Sequence, residues 1–274
     1  MQGIGNDFAV FDFTSGCQLP DKDLPDMAVR VCDRHFGIGA DGMVLILPSQ
    51  HADLRMRIFN PDGSEARMCG NATRCIARYA YEHGLVEKKE ITLETPSGIV
   101  RPSVVLEDGR VSGVVVDMGV PVFDAARVPV VFGEKEVVNA PRTFGGREFR
   151  ITCVSMGNPH CVIFVDDVDS VPLATLGPLI ENDGMFPDKV NVEFAEIEAR
   201  DRVRVKVWER GAGATLACGT GACATVAAGA IMGLLSRNCS VILPGGKLDI
   251  RWATDNHIYM SGPAEEVFRG CIWV

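Results

Sequence analysis

This chain lacks the marks of export and of membrane insertion: its N-terminus is not signal-like, and no apolar stretch reaches the roughly 18 residues a spanning helix requires. Basic charge is short as well. Lysine and arginine total 27 against 36 acidic residues, a net charge of −9, and no basic run offsets it. Nucleic acid is therefore a poor partner, because phosphate binding needs a basic face. P-loop, HExxH and G-x-S-x-G motifs are absent. Gly37 to Gly42 spells G-x-G-x-x-G, but it follows an expected helix (Met27 to His35) and precedes a strand (Met43 to Leu47), the reverse of a dinucleotide-binding turn. Ten cysteines in 274 residues are too sparse for a disulfide scaffold, so the reading is a soluble protein of the reduced cytoplasm.

What is present is an internal repeat. Cys69-Gly70 and Cys218-Gly219 lie 149 residues apart, and the approach to each aligns without a gap: Arg55 to Asn60 runs beside Arg204 to Glu209, with the cysteine nine residues further on in both. Short Val/Ile-rich runs punctuated by Gly, Pro, Asn and Asp predict strands, among them Leu54 to Asn60, Arg110 to Met118, Cys161 to Val165, Val190 to Phe194, Val203 to Trp208 and Val267 to Val274. Two further helices are expected from about Asn71 to His83 and from about Thr220 to Leu235, the second small and apolar nearly all round and hence buried. The Gly/Pro turn at Asp117 to Pro121 places a domain boundary there. This gives domains 1–117 and 118–262, with 263–274 returning to complete the first.

One cysteine placed twice by one fold unit suits proton removal from one face of a carbon and proton return to the other, which is racemisation or epimerisation. At a helix start the macrodipole and unpaired N–H groups are expected to favour the thiolate. Backbone groups at Gly70, Asn71, Gly219 and Thr220 are placed to hold a carboxylate. Cys75 and Cys223, further into the helices, read as packing. A metal site is not expected, because the gaps Cys69 to Cys75 and Cys218 to Cys223 do not bring thiols together on a helix. A second set of polar residues stands at repeat turns and strand ends: Asn6, Asn60, Asn158, His160, Asn191, Glu209 and Arg210. Turn asparagines often only stabilise the turn. Here, though, Asn60 and Glu209 are equivalent positions leading to the cysteine loops, and Arg210 with Glu209 suits the carboxylate and ammonium of an amino-acid head group.

Gly3 to Phe8, Phe59 to Glu65, Met68-Cys69-Gly70-Asn71, Gly157-Asn158-Pro159-His160, Val190-Asn191-Val192 and Trp208 to Cys223 together resemble the diaminopimelate epimerase family, along nearly the whole chain. The resemblance implies an α/β (α+β) fold of two pseudo-symmetric domains, each a curved, mostly antiparallel sheet or barrel around a central helix, with the site in the cleft between them. It implies cofactor-independent interconversion of LL- and meso-diaminopimelate in lysine biosynthesis, by a usually homodimeric enzyme. Cys69 and Cys218 are then the acid–base pair and His160 and Glu209 tune their protonation. Asn6, Asn60, Asn158, Asn191, Glu209 and Arg210 bind substrate, with Gly70-Asn71 and Gly219-Thr220 at the reacting end. Ala214, Ala72 and Gly42 stand where the family commonly has glutamate, glycine and, in some members, glutamine, and Phe268 where a dimer-contact tyrosine is often found. Two rivals remain: another cofactor-free amino-acid racemase on the same fold, and a non-catalytic binding protein, which would be expected to have lost one of the paired cysteines.

Overall fold

The computed structural model describes residues 1–16 and 19–273, and the chain divides into two compact units, Met1–Asp117 with Ser261–Val274, and Met118–Met260. The first unit runs β1 (Gln2–Gly3), β2 (Asn6–Asp12), α1 (Leu24–Cys32), β3 (Gly42–Leu47), β4 (Leu54–Phe59), β5 (Glu65–Ala66), α2 (Gly70–Glu82), β6 (Leu93–Thr95), β7 (Gly98–Val100), β8 (Ser103–Glu107) and β9 (Arg110–Asp117). Its sheet order is β1-β2-β3-β4-β6-β7, with β5 beside β4. Helix α1 is amphipathic by spacing: Leu24, Met27, Ala28, Val31 and Cys32 fall on one stripe and pack with Ala9, Met43, Leu45 and Phe59 of the sheet. Helix α2 packs against β1, β8 and β9 and stops at Gly84, whose φ of 68° suits the left-handed residue that ends a helix.

The second unit runs β10 (Ala140–Phe144), β11 (Arg147–Ser155), β12 (Pro159–Phe164), α3 (Leu173–Glu181), β13 (Asn191–Ala199), β14 (Arg202–Glu209), β15 (Gly213–Thr215), α4 (Gly219–Ile231), β16 (Asn238–Leu243), β17 (Gly246–Trp252) and β18 (Ile258–Gly262). The order is β10-β11-β12-β13-β14-β16-β17-β18, with β15 beside β14. Its pairings repeat those of the first unit: β12 to β13 is parallel across α3 as β2 to β3 is across α1, and β14 to β16 is parallel across α4 as β4 to β6 is across α2. The intervening pairs, β3 with β4 and β13 with β14, are antiparallel. Helix α4, buried along Ala222 to Gly229, lies against β11, β12, β13, β16 and β17.

Both units are mixed α and β, dominated by sheet, and neither strand path closes on itself, so the sheets are open rather than barrels. Two expectations change, and one helix that was not expected is present. The helix placed at Met27 to His35 starts at Leu24, because Pro25 suits a first helical turn, and it ends at Cys32. Leu173–Glu181 is helical although Gly177 and Pro178 lie inside it. Residues 267–273 form no strand, and Val274 lies outside the described residues. The chain end is held instead by a Gln2–Glu265 bridge, by Arg74 Nε donating to the Pro263 carbonyl at 3.1 Å, and by Arg78 donating to the Ala264 carbonyl. Among the described residues no helix is long and apolar enough to cross a membrane.

Candidate active site

The two cysteines occupy the same local position. Cys69 (φ −146°, ψ 118°) is the N-cap of α2 and Cys218 (φ −122°, ψ 108°) the N-cap of α4; both are extended, and each precedes a 13-residue helix that opens on glycine. Each cysteine carbonyl accepts the first helical bond, from Thr73 N–H at 2.9 Å and from Ala222 N–H at 3.0 Å. The caps differ in their side chains. Sγ of Cys218 accepts from the Gly221 N–H at 3.3 Å, whereas the Cys69 side chain makes no cap bond to α2.

In the first unit Cys69 is half-buried and Asn71, one turn-position on, is buried. Asn71 Nδ2 donates to Asn6 Oδ1 at 2.9 Å, and Asn6 Nδ2 donates to Asp41 at 2.8 Å. Asn6 follows a two-residue turn, Ile4-Gly5, with φ of 50° and 87°. A β-branched residue at positive φ is strained by about 1–3 kcal/mol, a cost concentrated at the turn that presents Asn6. Asn71 Oδ1 is buried without a hydrogen-bond partner, an acceptor suited to an ammonium or amide donor from a ligand. Asn60 closes the turn from β4 to β5, with Nδ2 donating to Ser64 Oγ at 2.9 Å.

In the second unit β12, β13 and β14 bring three titratable side chains to Cys218. His160 Nδ1 lies 2.7 Å from Glu193 Oε1, and His160 Nε2 lies 2.9 Å from Asn158 Oδ1. Asn158 Nδ2 donates to Thr220 Oγ1 at 3.3 Å, and that hydroxyl is 3.5 Å from Cys218 Sγ. Glu209, at the end of β14, accepts from Thr215 Oγ1 at 2.5 Å and is hydrogen-bonded to Cys218. Burial pushes the Cys218 thiol well up, and the Glu209 and Glu193 charges push it further, against the bonds from Thr220 and Gly221. This reverses the expected thiolate at this position. A helix dipole contributes about 0.3–1 kcal/mol, too little against full burial beside two carboxylates. Burial also raises Glu209, opposed by its bonds from Thr215 and Cys218 and by His160.

Asn191 and Arg210 are neighbours in the fold. Asn191 Nδ2 donates to the Pro159 carbonyl at 2.8 Å, while its Oδ1 accepts the Arg210 backbone N–H at 2.9 Å. It thereby joins the strand carrying His160 to the loop after Glu209. The Arg210 side chain is exposed, with Nη1 donating to the Asp188 carbonyl at 3.0 Å.

Three residues escaped the sequence reading. Glu181, nearly buried, accepts from Trp208 Nε1 at 2.7 Å and from Gly211 N–H at 2.9 Å, bracketing Glu209 and Arg210. Thr215 and Glu193 are the others. Glu193 had a signal, a lone acid inside the apolar run Val190 to Ala195. Among the described residues no group of three or more His, Cys, Asp or Glu is arranged to hold a metal ion.

A family model described as diaminopimelate epimerase matches residues 1–123 and 152–267. The diaminopimelate epimerase of Moorella thermoacetica is 53% identical over 271 residues, covering 98% of this chain and 96% of the relative. That of Carboxydothermus hydrogenoformans is 54% identical over 270 residues, covering 98% and 97%. Among solved structures, a PhzF-family phenazine biosynthesis protein from Bacillus anthracis superposes with a TM-score of 0.67 at 17% identity, over 96% of this chain and 91% of that one, a likeness of fold.

Proposed function

The chain belongs to the diaminopimelate epimerase family, and from that membership we propose that it is an isomerase of lysine biosynthesis that interconverts LL- and meso-diaminopimelate with two thiols and no cofactor. The observation that supports the two-thiol reading is the matched pair of caps, Cys69-Gly70 and Cys218-Gly219, each extended and each opening a 13-residue helix. In the proposed reaction one cysteine, as thiolate, takes the α-proton. The electron pair passes into the substrate carboxylate, held by N–H groups at a helix start, and the other cysteine, as thiol, delivers a proton to the opposite face. The enzyme emerges with thiol and thiolate exchanged and resets by proton exchange with water.

Such a pair must hold one proton between two sulfurs, so its members titrate as a couple. The surroundings of Cys218 favour the proton-bearing form there, which makes it the donor in the resting enzyme. His160 and Glu209 tune this balance, and Asn6, Asn60, Asn158, Asn191, Glu209 and Arg210 hold the substrate. The two domains of this reading are 1–117 with 263–274, and 118–262. It includes a cytoplasmic homodimer, checked by sedimentation.

Incubation with LL-diaminopimelate in deuterated water tests the reading. Meso product should form carrying one solvent deuterium at the inverted α-carbon. Inversion with the original proton retained would remove the two-thiol mechanism, and no inversion at all would remove the activity.

A further inference from the structure

We propose that Glu193 is a positioning residue for this reaction, the fixed end of a hydrogen-bonded chain, Glu193–His160–Asn158–Thr220–Cys218, that turns the Thr220 hydroxyl toward the thiol. The inference rests on the two-thiol reading above. Glu193 is fully buried in β13, and one of its oxygens, Oε2, has no hydrogen-bond partner. A buried carboxylate left half-satisfied is costly, and packing alone would be served better by an apolar residue. Room has been kept for it: a Cβ on Gly221 would come within 2.7 Å of Glu193 Oε1, so the first turn of α4 is glycine where the carboxylate passes under it.

Each link sets the next. Both His160 nitrogens face oxygen acceptors, Nδ1 at 2.7 Å from Glu193 Oε1 and Nε2 at 2.9 Å from Asn158 Oδ1, so in this arrangement each nitrogen donates and the ring plane is fixed. That contact orients the Asn158 amide, whose NH₂ then donates to Thr220 Oγ1 at 3.3 Å. A hydroxyl that accepts there turns its own hydrogen toward Cys218 Sγ, 3.5 Å away. The titratable groups around Glu193 are His160 and Cys161 from β12, Glu209 from β14 and Cys218 from the cap of α4. Removing its charge while keeping its shape therefore acts on Cys218 in two ways, through the chain and through the field.

The test combines Glu193→Gln, Thr220→Val and the double variant. Each single variant should lower kcat about tenfold or more with KM within about twofold, since a chain that only positions a reacting group acts on the transition state. The double variant should be no more than about threefold worse than the worse single, because a chain broken once is already broken. The pH midpoint for iodoacetamide alkylation of Cys218, read without substrate, should fall in Glu193→Gln, while that of Cys69 stays. If Glu193→Gln does not fold by circular dichroism, Thr220→Ser against Thr220→Val decides: the serine should keep kcat and the valine lose it. Multiplicative effects in the double variant, a Cys218 midpoint that stays or rises, or a fully active Thr220→Val would each overturn the proposal. A wild type that leaves diaminopimelate unchanged refutes the function instead, and the alkylation profiles still judge the chain.

Discussion

Cys75 and Cys218 are both buried thiols whose surroundings give them different work. Cys75 sits inside α2 with no exposure, and burial carries its thiol up to about 12 against the charge of Arg74, so it is an inert packing group. Cys218 is raised too, but between Glu209, Glu193, Thr220 and the Gly221 N–H, where a proton can be stored and handed on. Cys75→Ala should cost about 1 kcal/mol in denaturant unfolding and leave kcat unchanged. Cys218→Ala and Cys69→Ala should each lose about 10²–10⁴-fold in turnover with stability nearly intact. Near wild-type turnover from either would contradict the assigned roles. The difference between Cys75 and Cys218 was legible in the sequence because the repeat marks Cys69 and Cys218 and passes over Cys75. The protonation of Cys218 was not legible. It depends first on burial, then on Glu209 and on Glu193, which reaches His160 only because β12 and β13 pair in parallel with His160 beside Asn191, a register that no local pattern encodes.

At the scale of elements, the sequence located the starts of α2 and α4 to within a residue, at the paired cysteines, and the end of α2 at its closing Gly84, but it ran α4 on to Leu235 where the helix ends at Ile231, short of Gly233. It missed α3, where Gly177-Pro178 reads as a helix breaker. The structure supplies the reason for the glycine: a Cβ at 177 would lie 2.5 Å from the Trp208 ring. Gly177→Ala accordingly sets two effects against each other. Helix propensity gains about 1 kcal/mol, while overpacking against an indole held by Glu181 costs about 1–3 kcal/mol. The second should win, and because Trp208 adjoins Glu209 the displacement should reach the site. Thermal unfolding and kinetics together check this: a lower Tm with reduced kcat is expected. A higher Tm would mean that the ring moves aside freely.

At the scale of the molecule, the first unit is built from both ends of the chain, and its C-terminal piece forms no strand after Gly262 through residue 273. Besides the Gln2–Glu265 bridge, the tether is made of side chains from α2 and its C-cap. Arg74 is wholly buried and gives its Nε–H to the Pro263 carbonyl, Arg78 donates to the Ala264 carbonyl, and His83 meets Glu266 at 2.8 Å. Deleting residues 263–274 removes an acceptor from a buried cation, a loss on the order of 1.5–3 kcal/mol before the remaining contacts are counted. The midpoint of urea unfolding should therefore fall clearly, and an unchanged midpoint would show that the segment is not part of this unit. Acid should narrow the gap between full-length and truncated chains. Bonds from Arg269 and then His83 hold the Glu266 carboxyl below the usual carboxylate range. Its contribution is thus complete above that range and is lost as pH falls through the lowered value. Unfolding midpoints compared at neutral pH and near pH 3 should show the difference shrinking without vanishing, because the Arg74 and Arg78 bonds to carbonyl oxygens do not titrate there.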